Sequence, residues 1–344
     1  SGLMRRARAG GSSRPRAGRR CRRRHDGPQL AALASPEGSA DRLGRPGAVC
    51  SIVRMQIFAN GIAIEVDDAG PKDAPVVLLI MGLGMQLTAW PQPLVDDLVR
   101  RGRRVVRLDN RDVGLTQSFE QHGTPSIAWA VLRHALGLQI KSPYRIADMA
   151  ADAVAMLDAL GIAQAHVVGA SMGGMIAQHI AAKHANRVSR LTLMMTTPGA
   201  RGLPQASPKV RAALLDRRGA SAKDIEVIVE RYARLFGLIG SPAYPPDPQL
   251  LRQRLRESIQ RAHKPSGVVR QLVAVAADGD RSAIVRGINV PTHIIHGAAD
   301  PLIPPAAGHA LQQLIAGSTI DVVDGMGHDL PRELWPRFAD AMQR

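Results

Sequence analysis

The segment Ala165-His-Val-Val-Gly-Ala-Ser-Met-Gly-Gly-Met175 constrains the fold more than any other stretch of this chain. A strand-like run, His166–Gly169, leads into Gly169-x-Ser171-x-Gly173, and Met172–His184 then reads as a small-residue helix. A serine at so tight a strand-to-helix turn must take a strained backbone, and its neighbours must be small for strand and helix to approach. The turn lifts the Ser171 hydroxyl above a sheet at a helix N-terminus, where free N–H groups favour negative charge. The five-residue pattern alone is weak in a chain with 33 glycines. Its position between a strand and a helix is what makes it specific.

The surrounding chain repeats that strand–helix alternation. Residues 55–66 form two alternating runs around Asn60-Gly61, the dipeptide of a tight hairpin. Val76–Met81 is a continuous apolar run, as expected for a strand buried on both faces. Leu94–Arg101 reads as a helix and Val105–Leu108 as a strand. Ile146, Met149, Ala150, Ala153, Val154, Leu157 and Leu160 recur at helical steps over Arg145–Leu160, with Gly161 as C-cap. Leu191–Met195 is the next strand. The alternation then breaks over 203–285, where helix-like stretches (Ser221–Leu238, Leu250–His263) flank the Pro-rich 241–248. It resumes with strands at Thr292–His296 and Ile320–Val323 and a closing helix near Arg332–Met342. Such alternation implies a mainly parallel sheet flanked by helices, with 203–285 inserted as a helical lid over one end.

A serine hydroxyl attacks a carbonyl only when a base takes its proton and a carboxylate orients that base. Asp300 follows the strand Thr292–His296 in His-Gly-Ala-Ala-Asp-Pro301, and His328 follows the strand ending at Val323 in Asp-Gly-Met-Gly-His328. Both sit where a parallel sheet delivers loops towards Ser171, in the chain order Ser, acid, His. His166, His293 and His296 lie in or beside strands and read as structural. His179 and His184 lie on the helix after Ser171 and point away, and Asp324 reads as a turn former. Two oxyanion donors are needed as well. The N–H of Met172 is one, and the loop Met81-Gly-Leu-Gly-Met85 offers the other, at Leu83 before Gly82.

With these residues in place, 55–344 resembles the α/β-hydrolase family of carboxylesterases, lipases and related enzymes. The matching pieces are Met81-Gly-Leu-Gly84, Leu108-Asp-Asn-Arg-Asp-Val-Gly114, Gly169-Ala-Ser-Met-Gly173, Asp300 and Gly327-His328. In detail the chain is similar to the methylesterase and cofactor-free haloperoxidase branches more than to proline iminopeptidases. Three positions depart from the family pattern. Met81 stands where many members have histidine, Asp112 where the D-x-R-G-x-G-x-S loop has its first glycine, and Thr116 where it has serine. The resemblance implies an acyl-enzyme mechanism on a small or medium-sized carboxylic ester. Lactone or C–C bond hydrolysis and perhydrolysis use the same residues, and a catalytically silent ligand-binding protein is the non-enzyme alternative. Serine at the elbow argues against the epoxide- and halide-displacing members, which use aspartate. Specificity is expected from the lid and from Trp90 and Phe236. Tyr232, Leu235, Phe236, Leu238 and Ile239 could wall a pocket, but at helical spacing ordinary packing on the sheet is the expectation.

Composition bounds the rest. Aromatics make up only 3% of the residues against 45% hydrophobic, so the core must be aliphatic. The formal charge of +16 would suggest nucleic acid or an anionic surface, but 13 arginines and only three acidic groups fall within 1–54. That Gly-, Pro- and Arg-rich stretch shows no sustained periodicity and is expected to be a disordered extension outside the fold. Its apolar run Gln29–Ala34 is too short for a secretory signal. Its arginines have no interleaved aromatics, and a natural start at Met55 is favoured over a targeting or nucleic-acid-binding arm. A nucleic-acid partner is therefore not expected beyond a non-specific contribution from the arm. Both cysteines, Cys21 and Cys50, lie there too, so 55–344 carries no disulfide, which fits a cytoplasmic protein. No metal cluster, cofactor motif or membrane-spanning run is present, and a small-molecule substrate is the expected partner.

Overall fold

The structure, a computed structural model, describes residues 52–216 and 218–343. Most of the Arg-rich segment expected over 1–54, with Cys21 and Cys50, lies outside the described residues. An eight-stranded sheet organises the rest. β1 (Ile52–Ala59) and β2 (Ile62–Ala69) form a hairpin, and β3 (Val76–Ile80), β4 (Arg104–Leu108), β5 (Ala165–Ala170), β6 (Val188–Met194), β7 (Thr292–Gly297) and β8 (Thr319–Val323) follow. The spatial order is β1-β2-β4-β3-β5-β6-β7-β8. The β1–β2 and β2–β4 pairs are antiparallel and the others parallel. At the hairpin, Asn60 and Gly61 both take positive φ, 49° and 76°, as its tight turn demands. β1 starts at Ile52, ahead of the Met55 boundary expected from side-chain alternation, because Ile52 and Val53 still pair with Ala69 and Asp68.

Eleven helices are described: α1 (Gln92–Arg100), α2 (Ile127–Ala135), α3 (Ile146–Ala159), α4 (Met172–Lys183), α5 (Pro208–Leu215), α6 (Ile225–Ile239), α7 (Pro248–Arg261), α8 (Pro265–Asp278), α9 (Ser282–Val285), α10 (Ala306–Leu314) and α11 (Trp335–Gln343). The parallel strands alternate between two apolar layers. Leu78, Ile80, Val106 and Val167 face a core shared with α3, α4 and α10. Val77, Leu79, Val105 and Val168 face a second core shared with α1 and α11. This two-sided burial is why β3 reads as an unbroken apolar run and why β4 and β5 have apolar centres. His166, buried in β5, bridges Thr192 Oγ1 (2.8 Å) and the Met342 carbonyl (3.2 Å), a structural role as expected. Burial pushes its pKa down to about 4.

α5 to α9 all fall between β6 and β7, within the inserted region expected from the sequence. α2 and α8 exceed the sequence reading. α8 starts on Pro265 and buries Arg270 and Gln271, so polar residues interrupt its apolar stripe. Those two side chains tie α8 to the loop after β4. Arg270 meets Asp112 through two nitrogens at 2.6 and 2.8 Å, and Asp112 also accepts from the Tyr144 hydroxyl (2.7 Å) and Phe119 N–H (2.8 Å). Asp112 sits at φ 70°, the left-handed region that explains a family glycine here. Burial would raise its pKa, but the Arg270, Phe119 and Tyr144 hydrogen bonds outweigh that and hold it low. The third departure is conservative in chemistry: the Thr116 hydroxyl donates to the Asp109 carbonyl (2.7 Å) and accepts Glu65 N–H (2.9 Å).

Candidate active site

The elbow is built by close approach of backbones. A Cβ on Gly169 would lie 2.3 Å from the Gly173 carbonyl oxygen, and one on Gly173 would lie 2.1 Å from that of Ile80. Only glycine fits at either place. Between them Ser171 takes φ 55° and ψ −119°, the expected strain, and serves as the residue before α4. The Ser171 N–H donates to the Met194 carbonyl (2.9 Å), and the Thr196 hydroxyl donates to the Ser171 carbonyl (2.7 Å). The serine backbone is thereby pinned at the C-terminal end of β6.

Two loops from later strands converge on the Ser171 hydroxyl. His328 Nε2 lies 3.0 Å from Ser171 Oγ, and its Nδ1 lies 2.7 Å from Asp300 Oδ2. Asp300 is fully buried, and its other oxygen accepts the N–H groups of Leu302 and Ile303 at 2.9 Å each. His296 flanks this carboxylate at 3.7 Å, but its Nε2 is held by the Ile303 carbonyl (2.8 Å) and burial lowers its pKa. His179 lies away from the site, paired with Asp278 at 3.0 Å. Asp324 is exposed in the turn after β8. The three residues singled out from the sequence are thus in mutual contact, and the competing histidines and acid are not part of that contact.

The loop after β3 passes directly over the serine. A Cβ on Gly82 would come within 3.1 Å of Ser171 Cβ. Leu83 lines the cavity beside it, and Met172, as first residue of α4, has an N–H without an intrahelical acceptor. The loop is held by two side chains that sequence reading did not select. Asn110 Nδ2 donates to the Met81 carbonyl (2.9 Å), and Gln271 Oε1 accepts the Gly84 N–H (2.8 Å). Gln271 Nε2 in turn donates to the Arg111 carbonyl (2.8 Å), so one α8 amide bridges both loops. Nothing in local spacing marks Gln271, since 187 residues separate it from Gly84.

A further connection reaches the histidine loop. His328 N–H donates to the Ile239 carbonyl (2.7 Å) at the end of α6, and Gly327 N–H donates to Ser241 Oγ (2.8 Å). The Ser241 hydroxyl donates to Asp329, whose second oxygen accepts Ser241 N–H (3.2 Å). Burial raises the Asp329 pKa against these hydrogen bonds.

Ser171 and His328 open into a cavity of about 1500 Å³. Its walls include Leu214 of α5, Phe236 of α6, Leu251 of α7 and Leu272 of α8, so the inserted helices enclose it. Two expectations change here. Trp90, a pocket candidate, is fully buried (0% exposed) in the α1–α11 core and does not line the cavity, because the chain turns inward after the short helix Leu87–Ala89. Conversely, Tyr232, Leu235, Phe236 and Ile239 face the cavity rather than simply packing on the sheet. Among the described residues no cluster of three or more His, Cys, Asp or Glu could hold a metal ion.

The alpha/beta hydrolase fold family matches residues 75–331, and the chain belongs to it. It is a hydrolase. Rhodomycin D methylesterase DnrP of Streptomyces peucetius is 28% identical, over 79% of this chain and 90% of its own length. 3-Oxoadipate enol-lactonase 2 of Acinetobacter baylyi is 24% identical, over 78% of this chain and 87% of its own. Among solved structures, the enol-lactonase from Burkholderia xenovorans LB400 superposes with a TM-score of 0.65 at 24% identity, covering 84% of this chain and 98% of that one.

Proposed function

We propose that this hydrolase cleaves small to medium-sized carboxylic esters through an acyl-enzyme, with Ser171 as nucleophile. The observation that carries this reading is the unbroken contact from Ser171 Oγ through His328 to the buried Asp300 at the floor of an apolar-walled cavity. Asp300 accepts the Nδ1 proton of His328, which leaves Nε2 free to accept the proton of Ser171. Oγ then attacks the ester carbonyl carbon, and the resulting oxyanion is held by the N–H groups of Leu83 and Met172. His328 returns its proton to the leaving alkoxide, and the alcohol departs. A water molecule deprotonated by His328 attacks the acyl carbon and releases the acid from Ser171. None of these steps requires a metal or cofactor.

The names of the two curated relatives, a methylesterase and an enol-lactonase, favour an ester or a lactone as the bond cleaved. The helices over 203–285 act in this reading as a lid, since α5 to α8 supply cavity walls facing Ser171 and with them the substrate preference. Phe236 is one such contact. Among the described residues no helix is long and apolar enough to cross a membrane. A cytoplasmic location is part of this reading, with residues 55–344 free of cysteine as its sequence basis.

A fluorophosphonate probe tests the nucleophile. It labels folded wild-type protein on Ser171, and Ser171→Ala loses both label and p-nitrophenyl ester hydrolysis, the latter by at least about 10⁴-fold. An unlabelled but folded wild type would leave only a silent ligand-binding protein.

A further inference from the structure

The helix α2 presents an apolar surface that the hydrolase reading does not use. Ser126 caps its start through Trp129 N–H (3.3 Å), and Gly137 closes its end at φ 67° with Leu138 N–H on the Arg133 carbonyl (2.8 Å). Trp129 is 56% exposed, Val131 57%, Leu132 46%, Leu136 63% and Leu138 49%. Trp129, Leu132 and Leu136 follow helical spacing, with Leu136 N–H still bonded to the Leu132 carbonyl (3.0 Å), so they share one outward face. A helix this apolar is normally covered, and large exposed apolar patches mark interaction sites.

Charge selects the partner. Between Glu120 and Asp148 the sequence has no acidic residue, while Arg133 lies on α2 and Lys141 and Arg145 lie on the stretch joining α2 to α3. A second copy docked face to face through this region would oppose like charges. The Arg-rich residues 1–54 carry the same sign. Exposed tryptophan and leucines bordered by cations match instead the boundary between headgroups and acyl chains of an anionic bilayer. α2 also rests on α8, whose Val268 and Leu272 line the cavity, so a bilayer under α2 would lie next to the cavity wall.

We propose that α2 and the turn after it form a peripheral docking surface for anionic phospholipid bilayers, with Trp129, Leu132 and Leu136 entering the interface and Arg133, Lys141 and Arg145 meeting the headgroups.

Trp129 reports on this directly. The chain has three tryptophans, and the other two are buried, Trp90 at 0% and Trp335 at 9% exposed. The full chain is titrated with vesicles of phosphatidylcholine and phosphatidylglycerol at seven to three, and with phosphatidylcholine alone. The expected result is a blue shift of emission with the anionic vesicles only, quenched by acyl-brominated lipid and absent in Trp129→Phe. Leu132→Asp combined with Leu136→Asp weakens vesicle binding at least about tenfold, because two apolar contacts are lost to charge. Hydrolysis of a water-soluble ester by that variant is unchanged, which certifies its fold. Vesicle binding that survives the double substitution with no blue shift or quenching would assign it to the Arg-rich arm and overturn the proposal. So would light scattering showing a dimer that the double substitution splits, since α2 would then be covered by a second copy.

Discussion

Asp112 and Arg270 form the most demanding contact between the sheet loops and the inserted helices, and removing it has a calculable cost. Both side chains are buried, at 0% and 1% exposure, and they meet through two nitrogens at 2.6 and 2.8 Å. Arg270→Met leaves the Asp112 carboxylate buried with only the Tyr144 hydroxyl, Phe119 N–H and Ser118 hydroxyl as donors. Stranding one partner of a buried pair costs about 3–5 kcal/mol, and the remaining donors put this variant near the lower end. Asp112→Gly strands the guanidinium with the Gly123 carbonyl (2.7 Å) as its other acceptor. Relief of a left-handed non-glycine residue returns about 1 kcal/mol, so a net loss of about 2–4 kcal/mol is expected. The double variant strands neither charge. It loses chiefly the acceptor of the Tyr144 hydroxyl, about 1–2 kcal/mol, which leaves a coupling of about 3 kcal/mol or more between the two positions. Urea unfolding followed by circular dichroism at neutral pH, with all four proteins sharing one m-value, gives the cycle directly. Single variants that each lose less than about 1 kcal/mol and add without coupling would refute the clamp.

Three further outcomes follow from the same geometry. Gln271→Leu leaves the Gly84 N–H and Arg111 carbonyl unpaired, so kcat for a p-nitrophenyl ester falls about tenfold while KM changes less; an unchanged kcat would mean that the amide does not position the loop. Ser241→Ala removes the acceptor of Gly327 N–H and a donor to Asp329, with about 1–3 kcal/mol lost in thermal or chemical unfolding and a lower kcat, and wild-type values for both would count against a link from α6 to His328. His166 has its folded pKa depressed to about 4, so the unfolded chain binds the proton first as pH falls. Its stabilising contribution is complete above about pH 6.5 and is lost towards pH 4, a difference of about 3 kcal/mol relative to His166→Gln; parallel stability–pH curves for the two proteins would contradict it.

Much of this molecule is decided by short-range physics, and that part can be read along the chain. A strand buried on both faces tends to a continuous apolar run, and β3 is one, while β4 and β5 keep apolar centres at Val105-Val106 and Val167-Val168. Gly169 and Gly173 are required by the elbow itself, within five residues of sequence. Asp300 and His328 are legible because a parallel sheet places the loops after successive strands at one edge, and their order along the chain follows from strand order. Other features depend on contacts between distant segments. Gln271 reaches a loop 187 residues away, and Arg270 explains an aspartate at a glycine position only once α8 lies across it. The inward turn of Trp90 and the cavity-facing side of α6 likewise follow from how helices stack, which helical spacing alone leaves open. A helical period shows that one face is buried. Which neighbour buries it, and whether that neighbour is protein, a cavity or a bilayer, is decided in three dimensions.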